Sequence, residues 1–237
     1  MSKNLVIIPT YNEIGNIEAI IRAVKQLSRE FDILVVDDNS PDGTQKSVDT
    51  LIEESKDKGG GLFLIKRGSK QGLGSAYIEG FRFALSKDYQ YIFEMDADFS
   101  HDPKDLPRLL QACENGADVA VGSRYVKGGK VENWALPRRA LSYFASVYAR
   151  LITGIKVHDT TAGFVCYTRH VLEAIDLSKV NFVGYAFQIE MKYICYKKDF
   201  KIAEVPITFK DRQNGQSKLG TEVITEAIFG VFKLRHK

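Results

Sequence analysis

Two apolar periods alternate along the first half of the chain. Leu5-Val6-Ile7-Ile8-Pro9 is an unbroken apolar run, which predicts a strand covered on both faces. Thr10-Tyr11-Asn12-Glu13 interrupts it, with Asn12 the expected cap of a helix. That helix keeps Ile17, Ile20, Ile21, Val24 and Leu27 on one face. Phe31 to Val36 predicts a second strand, ending at Asp37-Asp38, and Asn39-Ser40-Pro41-Asp42-Gly43 is turn chemistry leading into a second helix that runs to about Lys56. Gly59-Gly60-Gly61 ends it, and Leu62 to Ile65 is the third strand. Gly72-Leu73-Gly74 opens a third helix, in which Leu73, Ala76, Tyr77, Gly80, Phe81, Ala84 and Leu85 hold i, i+3, i+4, i+7 spacing. A fourth strand begins at Tyr91, a fourth helix covers about Lys104 to Asn115, and Val119-Ala120-Val121 is the fifth strand. Five such alternations within the first 122 residues imply an α/β fold on a parallel sheet with right-handed crossovers.

In such sheets, ligands bind outside the carboxyl ends of the strands. Pro9 to Glu13, Asp37-Asp38 and Asp96-Ala97-Asp98 all fall on that edge. Asp96 and Asp98 stand one residue apart after the buried run Tyr91-Ile92-Phe93, where acids are unfavourable unless neutralised. With a turn between them they can converge on one hard cation, and Mg²⁺ or Mn²⁺ shared with substrate phosphates suits two protein carboxylates. The same stretch would also suit a surface turn in which Asp102 or Asp105 caps the next helix. Gly72 and Gly74 follow the third strand and lack a third glycine in register, which excludes a dinucleotide fingerprint.

The second half is less regular. Gly122 to Lys130 is a basic, glycine-containing loop. Trp134 to Pro137 leads into a helix carrying Leu141, Phe144, Ala145, Tyr148, Leu151 and Ile152 on one side, with Pro137 suited to its first turn. Arg138 and Ser142, four apart, share a face near its positive end, which is a ready anion site. Asp159 to Phe164 is a polar turn into a strand, and Gly184 to Glu190 opens another helix. Phe200 to Phe209 reads as an edge strand broken by Pro206. Asp211 to Lys218 is a second basic loop, and Thr221 to Leu234 is a final helix suited to a membrane interface or a partner.

Charge adds one feature to this pattern. The 237 residues carry a net charge of only +3, which gives no reason to expect nucleic-acid binding. Residues 1–121 hold 20 acidic and 14 basic side chains, whereas residues 122–156 hold 7 basic and 1 acidic. A local basic block points to an anionic substrate or a membrane surface. The three cysteines, Cys113, Cys166 and Cys195, have neither metal nor disulfide spacing and fit a reducing compartment. The first strand starts at once, leaving no room for a signal peptide, and no apolar run nears the roughly 20 residues of a membrane span.

Taken in order, the motifs resemble a known family. Ile8-Pro9-Thr10-Tyr11-Asn12-Glu13, Val36-Asp37-Asp38-Asn39-Ser40-Pro41-Asp42-Gly43-Thr44 and Met95-Asp96-Ala97-Asp98 together are similar to the inverting glycosyltransferases of family 2. Gly122-Ser123-Arg124-Tyr125, Trp134 through Ser142, Gly184 through Glu190 and Asp211 through Gly220 resemble, within it, the dolichyl- and polyprenyl-phosphate mannosyltransferases, especially the eukaryotic catalytic subunits. The resemblance covers nearly the whole chain. It implies a GT-A nucleotide-diphospho-sugar transferase fold with a Rossmann-like, mostly parallel sheet in one catalytic domain spanning residues 1–237. Within it, 1–122 would be the nucleotide-binding half, 123–220 the acceptor-binding half and 221–237 a membrane- or partner-associated helix. The implied reaction moves mannose from GDP-mannose to dolichyl phosphate with inversion.

Position by position, the resemblance has Pro9, Tyr11, Glu13, Asp38, Asp96 and Lys218 bind the nucleotide sugar. Asp96 and Asp98 would hold Mg²⁺ or Mn²⁺, assisted by Ser100 where some relatives carry Gln. Arg124, Arg138, Ser142 and Arg212 would grip the acceptor phosphate, and Asp96, Asp98, Arg124 and Arg212 would carry the catalysis. An ionised phosphate acceptor needs no strong general base, which fits the lack of an obvious catalytic histidine. One branch of the family adds membrane spans after the catalytic domain, which this sequence does not carry. The expectation is therefore a peripheral protein on the cytosolic face of the endoplasmic reticulum, recruited by small membrane-spanning partner subunits. A polyprenyl-phosphate glucosyltransferase using UDP-glucose shares the strand-end acids and remains an alternative. So does a non-catalytic nucleotide-sugar-binding subunit, although that role would not need acids at strand ends.

Overall fold

The structure, a computed structural model, describes residues 3–55, 61–182, 184, 186–211, 230–232 and 234. Strands β1 (Asn4–Thr10), β2 (Asp32–Asp37), β3 (Leu62–Lys66) and β4 (Tyr91–Glu94) pair in parallel, in the order β3-β2-β1-β4. The crossover direction reverses at β1, so the crevice beyond the β1 and β4 carboxyl ends is the natural ligand site. Helices α1 (Ile17–Lys25), α2 (Thr44–Ser55), α3 (Leu73–Leu85) and α4 (Leu106–Glu114) fill the connections.

The β1 run explains the layering. Alternate side chains of a strand point to opposite faces. Leu5 and Ile7 enter one core with Leu34, Tyr77, Phe81 and Phe187. Val6 and Ile8 enter the other with Ile33, Ile20, Leu109 and Leu110. All four β1 side chains are fully buried, each contributing roughly 1.5–3 kcal/mol. On one face, α3 approaches β1 so closely that a Cβ at Gly80 would lie 2.7 Å from Ile7 Cγ2, which is why that helical position is glycine.

Three expectations are amended. Asn12 is not the cap of α1: it turns the chain at φ 59°, its N–H donating to Ser40 Oγ, and the helix starts only after Asn16. The parallel run is broken by β7 (Val165–Thr168), which inserts antiparallel between β4 and β5 (Val119–Ser123). Five alternations of strand and helix do not reveal this, because the inserted strand comes later in the chain. Pro206 does mark an edge, but by dividing the segment between two sheets. β8 (Ile202–Pro206) closes the seven-stranded sheet against β5, whereas β9 (Thr208–Lys210) pairs with β6 (Lys130–Glu132) in a small second sheet.

The remaining helices are α5 (Leu136–Thr153), α6 (Arg169–Ala174) and α7 (Ala186–Lys197). α5 has Pro137 in its first turn and ends at Gly154 in the left-handed conformation, φ 74°. Only Ser146 and Ala149 of its 18 residues are buried. Leu136 and Leu151 are each 78% exposed and Phe144 is 64% exposed, whereas Tyr148 and Ile152 are half-buried, so the apolar side expected from the sequence is covered only in part. Gly230, Val231, Phe232 and Leu234 are the only described residues of the expected final helix; Val231 and Leu234 pack with Ala149, Ile189 and Tyr193.

Candidate active site

The strand-end acids divide their work. Asp37, fully buried, accepts hydrogen bonds from Thr10 Oγ1 (2.7 Å), Ser40 N (2.8 Å), Ser40 Oγ (2.6 Å) and Gln45 Nε2 (2.7 Å). It shapes the turn after β2. Asp38 accepts from Arg67 Nη1 (2.5 Å) and from the backbone N–H groups of Gln71 (3.1 Å) and Gly72 (3.2 Å). Gly72 sits at φ 94°, where a side chain would be strained, and so carries the loop into α3. Tyr11 lies under the Lys70 ammonium, 4.5 Å from ring centre. Glu13 takes the Asn16 amide at 2.9 Å, while its own N–H donates to Thr44 Oγ1.

Beyond β4 the chain makes a tight loop, with Phe99 at φ 59°. Asp98 is buried and accepts from the Ser100 N–H (3.1 Å) and hydroxyl. The Asp96 side chain is 38% exposed toward the cavity. The Asp96 N–H donates to His101 Nδ1 at 3.2 Å. Burial pushes the His101 imidazole down to about 4, so the ring stays neutral and Nδ1 remains an acceptor. The ring stacks on Phe164 and meets Phe209 edge-on. Sequence reading passed over His101 because it sought a catalytic histidine, and this one fixes backbone. Asp102 caps the following turn through Lys104 N (3.0 Å), whereas Asp105 pairs with Arg108 instead. No cluster of three or more His, Cys, Asp or Glu ligands occurs among the described residues. The donor set is two carboxylates and a hydroxyl, all hard oxygens. It fits Mg²⁺ or Mn²⁺ completed by oxygens of a bound diphosphate, and not a cation held by protein alone.

Opposite these acids lies a basic wall. Arg124 is buried and forms a bidentate pair with Asp159, Nε to Oδ2 at 2.7 Å and Nη2 to Oδ1 at 2.6 Å. Its Nη2 also reaches Thr161 Oγ1 at 2.8 Å. Burial alone would raise the Asp159 carboxyl, but the charge and hydrogen bonds of Arg124 outweigh it and hold the group below its usual value. Arg138 stacks on the Trp134 ring at 4.2 Å and bonds Asp211 at 2.9 Å; Arg124 faces the same indole at 5.7 Å. Trp134 is thus a plate between the two arginines. Ser142 accepts the Tyr125 hydroxyl at 2.7 Å. Arg212 and Lys218 lie outside the described residues.

Both walls line one cavity of about 750 Å³. Pro9, Tyr11, Glu13, Asp38, Asp96, Asp98 and Ser100 all border it, and so do Arg124, Arg138 and Ser142. Leu141, Phe144, Tyr148, Ile189 and Val231 add an apolar part to its lining, three of them from α5. The structure therefore brings together every expected site residue that it describes. Below the floor lies a buried ionic cluster, Glu94, Gln188 and Lys192. Burial raises the Glu94 carboxyl to about 7 against the pull of Lys192, and lowers the Lys192 ammonium to about 8 against the pull of Glu94. Neither residue was singled out from the sequence, since a lone Glu at a strand end and a Lys in a helix give no sign of sharing one glutamine.

Known proteins resemble this chain closely. The model of the family described as Glycosyl transferase family 2 matches residues 5–176. Polyprenol monophosphomannose synthase of Mycolicibacterium smegmatis is 47% identical over 229 residues, covering 97% of this chain and 85% of that protein. Among solved structures, glucosyl-3-phosphoglycerate synthase from Mycobacterium tuberculosis, in complex with Mn²⁺, uridine-diphosphate-glucose and glycerol 3-phosphate, superposes with a TM-score of 0.67. It shares 17% identity over 97% of this chain and 77% of its own. A mannosyltransferase from Pyrobaculum calidifontis in complex with GDP-Man and Mn²⁺ gives a TM-score of 0.62 at 17% identity, covering 91% of this chain and 58% of its own. At such identities the two structures establish the common GT-A fold and no more.

Proposed function

This chain belongs to glycosyl transferase family 2, and on that premise we propose that it transfers mannose from GDP-mannose to a polyprenyl phosphate. Dolichyl phosphate is the acceptor that its motifs favour, and inversion gives the β-mannosyl phosphate. One observation carries the reading. A single cavity is lined by paired acids suited to a metal-bound diphosphate, by two arginines, and by apolar residues of α5, of which Leu141 and Phe144 are exposed. A soluble acceptor would have no use for that apolar lining, whereas a lipid phosphate needs both the cations and an apolar surface.

Asp96, Asp98 and Ser100 would hold Mg²⁺ or Mn²⁺, which when bound neutralises charge on the departing diphosphate. Pro9, Tyr11, Glu13, Asp38 and Lys218 bind the nucleotide sugar. Arg138 and Ser142, at the start of α5, receive the acceptor phosphate together with Arg124 and Arg212. The acceptor arrives as an anion, so the protein's task is to hold two anions near one anomeric carbon. Trp134 packs against both Arg124 and Arg138 and helps to hold them for that purpose.

The exposed apolar side of α5 meets the membrane surface that carries the acceptor. No described helix is long and apolar enough to cross a membrane, and small membrane-spanning partner subunits would add to the attachment. The cytosolic face of the endoplasmic reticulum is the location that the motifs favour. Relatives of the fold use both GDP-Man and uridine-diphosphate-glucose, which gives the glucosyl reading its one specific support. A radiolabelled transfer assay separates the two, with GDP-mannose, UDP-glucose or GDP-glucose, dolichyl phosphate in detergent, and Mn²⁺ or EDTA. Lipid labelling from GDP-mannose alone, abolished by EDTA, is expected. Labelling from UDP-glucose would move the chain to glucosyl transfer, and no labelling from any donor would overturn the enzymatic reading.

A further inference from the structure

The buried cluster below the cavity joins the two walls. Glu94 ends β4, two residues before Asp96. Its Oε2 accepts the Gln188 side-chain N–H at 2.7 Å. Lys192, one helical turn further along α7, donates to Gln188 O and Oε1 at 3.2 Å each and to the Ala162 carbonyl at 2.6 Å. Ala162 lies in the turn that also supplies Asp159 and Thr161, the partners of Arg124. Glu94, Gln188 and Lys192 are at most 1% exposed, yet Gln188 and Ala162 border the cavity.

Burying a glutamate and a lysine is a poor way merely to hold two elements together, since apolar residues of equal volume often do so as well or better. What Lys192 supplies and an apolar side chain lacks is a charged donor to the Ala162 carbonyl. We propose that Glu94, Gln188 and Lys192 form a positioning relay that holds the Asp159–Ala162 turn, and with it Arg124, at a set distance from the Asp96–Asp98 loop. The relay rests on the acceptor role of Arg124. It acts on the spacing of the two anion sites and touches neither substrate's reacting atoms.

Three variants test it by steady-state kinetics and thermal melting: K192M, the charge-balanced double E94Q/K192M, and Q188L. The double removes both buried charges, so its melting temperature returns toward wild type. The Ala162 carbonyl stays unsupported, so the acceptor KM is expected to remain about ten-fold raised, with donor KM and Mn²⁺-dependent GDP affinity within about two-fold. Q188L, which keeps both charges but cuts the link, raises acceptor KM in the same direction. An acceptor KM that recovers together with stability in the double would overturn the relay, as would equal changes in donor and acceptor KM in Q188L. Should wild-type protein transfer no sugar to any polyprenyl phosphate, the proposed function fails and amide hydrogen exchange still decides the relay. K192M is expected to speed exchange over Thr160–Phe164 while β1 stays protected, and unchanged exchange at that turn counts against it.

Discussion

The acidic edge and the α5 face border the same cavity but are built in opposite ways. At the acidic edge Asp37, Asp38 and Asp98 are fixed by hydrogen bonds. Asp37 takes four hydrogen bonds, Asp38 takes three, and Asp98 is held by Ser100. On the α5 face Arg138 rests on an indole and one carboxylate, and only Ser146 and Ala149 of the helix are buried. A short, rigid diphosphate rewards a preorganised frame, because donors fixed beforehand need no reorganisation. A long, flexible lipid rewards an open apolar path that fits many chain conformations. The difference between the two walls matches the difference between the two proposed substrates.

The largest effect is expected at the acidic edge. D96A removes the more accessible of the two proposed metal carboxylates, and transfer should fall ~10³-fold, the loss of several kcal/mol of charge stabilisation. Mn²⁺-dependent GDP affinity should fall with it, while the melting temperature barely moves, since Asp96 is partly exposed. Normal turnover in D96A would take the residue out of the metal site.

The basic wall comes next. R138A should raise acceptor KM by about 10- to 100-fold with donor KM preserved, because a charge-assisted phosphate contact is lost and a partly exposed side chain is removed. R124A is a poorer probe: it strands the buried Asp159 carboxylate, at about 3–5 kcal/mol of stability. The double R124M/D159N avoids this and should still raise acceptor KM. Unchanged acceptor kinetics in both R138A and the double would remove the arginines from the acceptor site.

Much of the acidic edge was legible because periodicity and turn chemistry place strand ends, and strand ends of a parallel sheet converge. Leu5 to Pro9 and Tyr91 to Phe93 could hardly be anything else. The α5 face was legible only in part. Helical spacing reveals an apolar side but not whether anything covers it, and the same Leu141, Phe144 and Leu151 would read identically in a core. Asp159 was visible only as a polar turn residue. Its pairing with Arg124 joins positions 35 residues apart, which no local pattern announces. Glu94 and Lys192 were hidden for the same reason.

A smaller effect tests the Arg124–Asp159 link through pH. Asp159 is held below its unfolded-state value near 3.8. Its stabilisation is therefore complete above that value and lost as pH falls through the lower folded value, since the unfolded state then binds the proton first. Urea midpoints measured from pH 5 to pH 2 should decline in wild type, and less steeply in R124M/D159N. An identical acid limb in the two proteins would mean that the pair contributes no pH-dependent stability.

The smallest effect should fall on the open face. Leu136 and Leu151 are each 78% exposed and neither borders the cavity, so L136S/L151S alters the outer side of α5 without entering the site. Exposed leucines that contact no protein core contribute little to folding, and the melting temperature should not change. Each would bury part of its apolar surface at a membrane interface, so vesicle binding should weaken about five-fold for the pair. Activity toward acceptor presented in detergent should stay near wild type, because there the lipid need not be drawn from a bilayer. Vesicle binding equal to wild type would separate the apolar lining from membrane attachment and leave the task to other parts of the chain or to partner subunits. Loss of detergent activity at equal vesicle binding would instead make these leucines part of the acceptor path, and the contrast between a rigid donor edge and an open lipid face would have to be redrawn at α5.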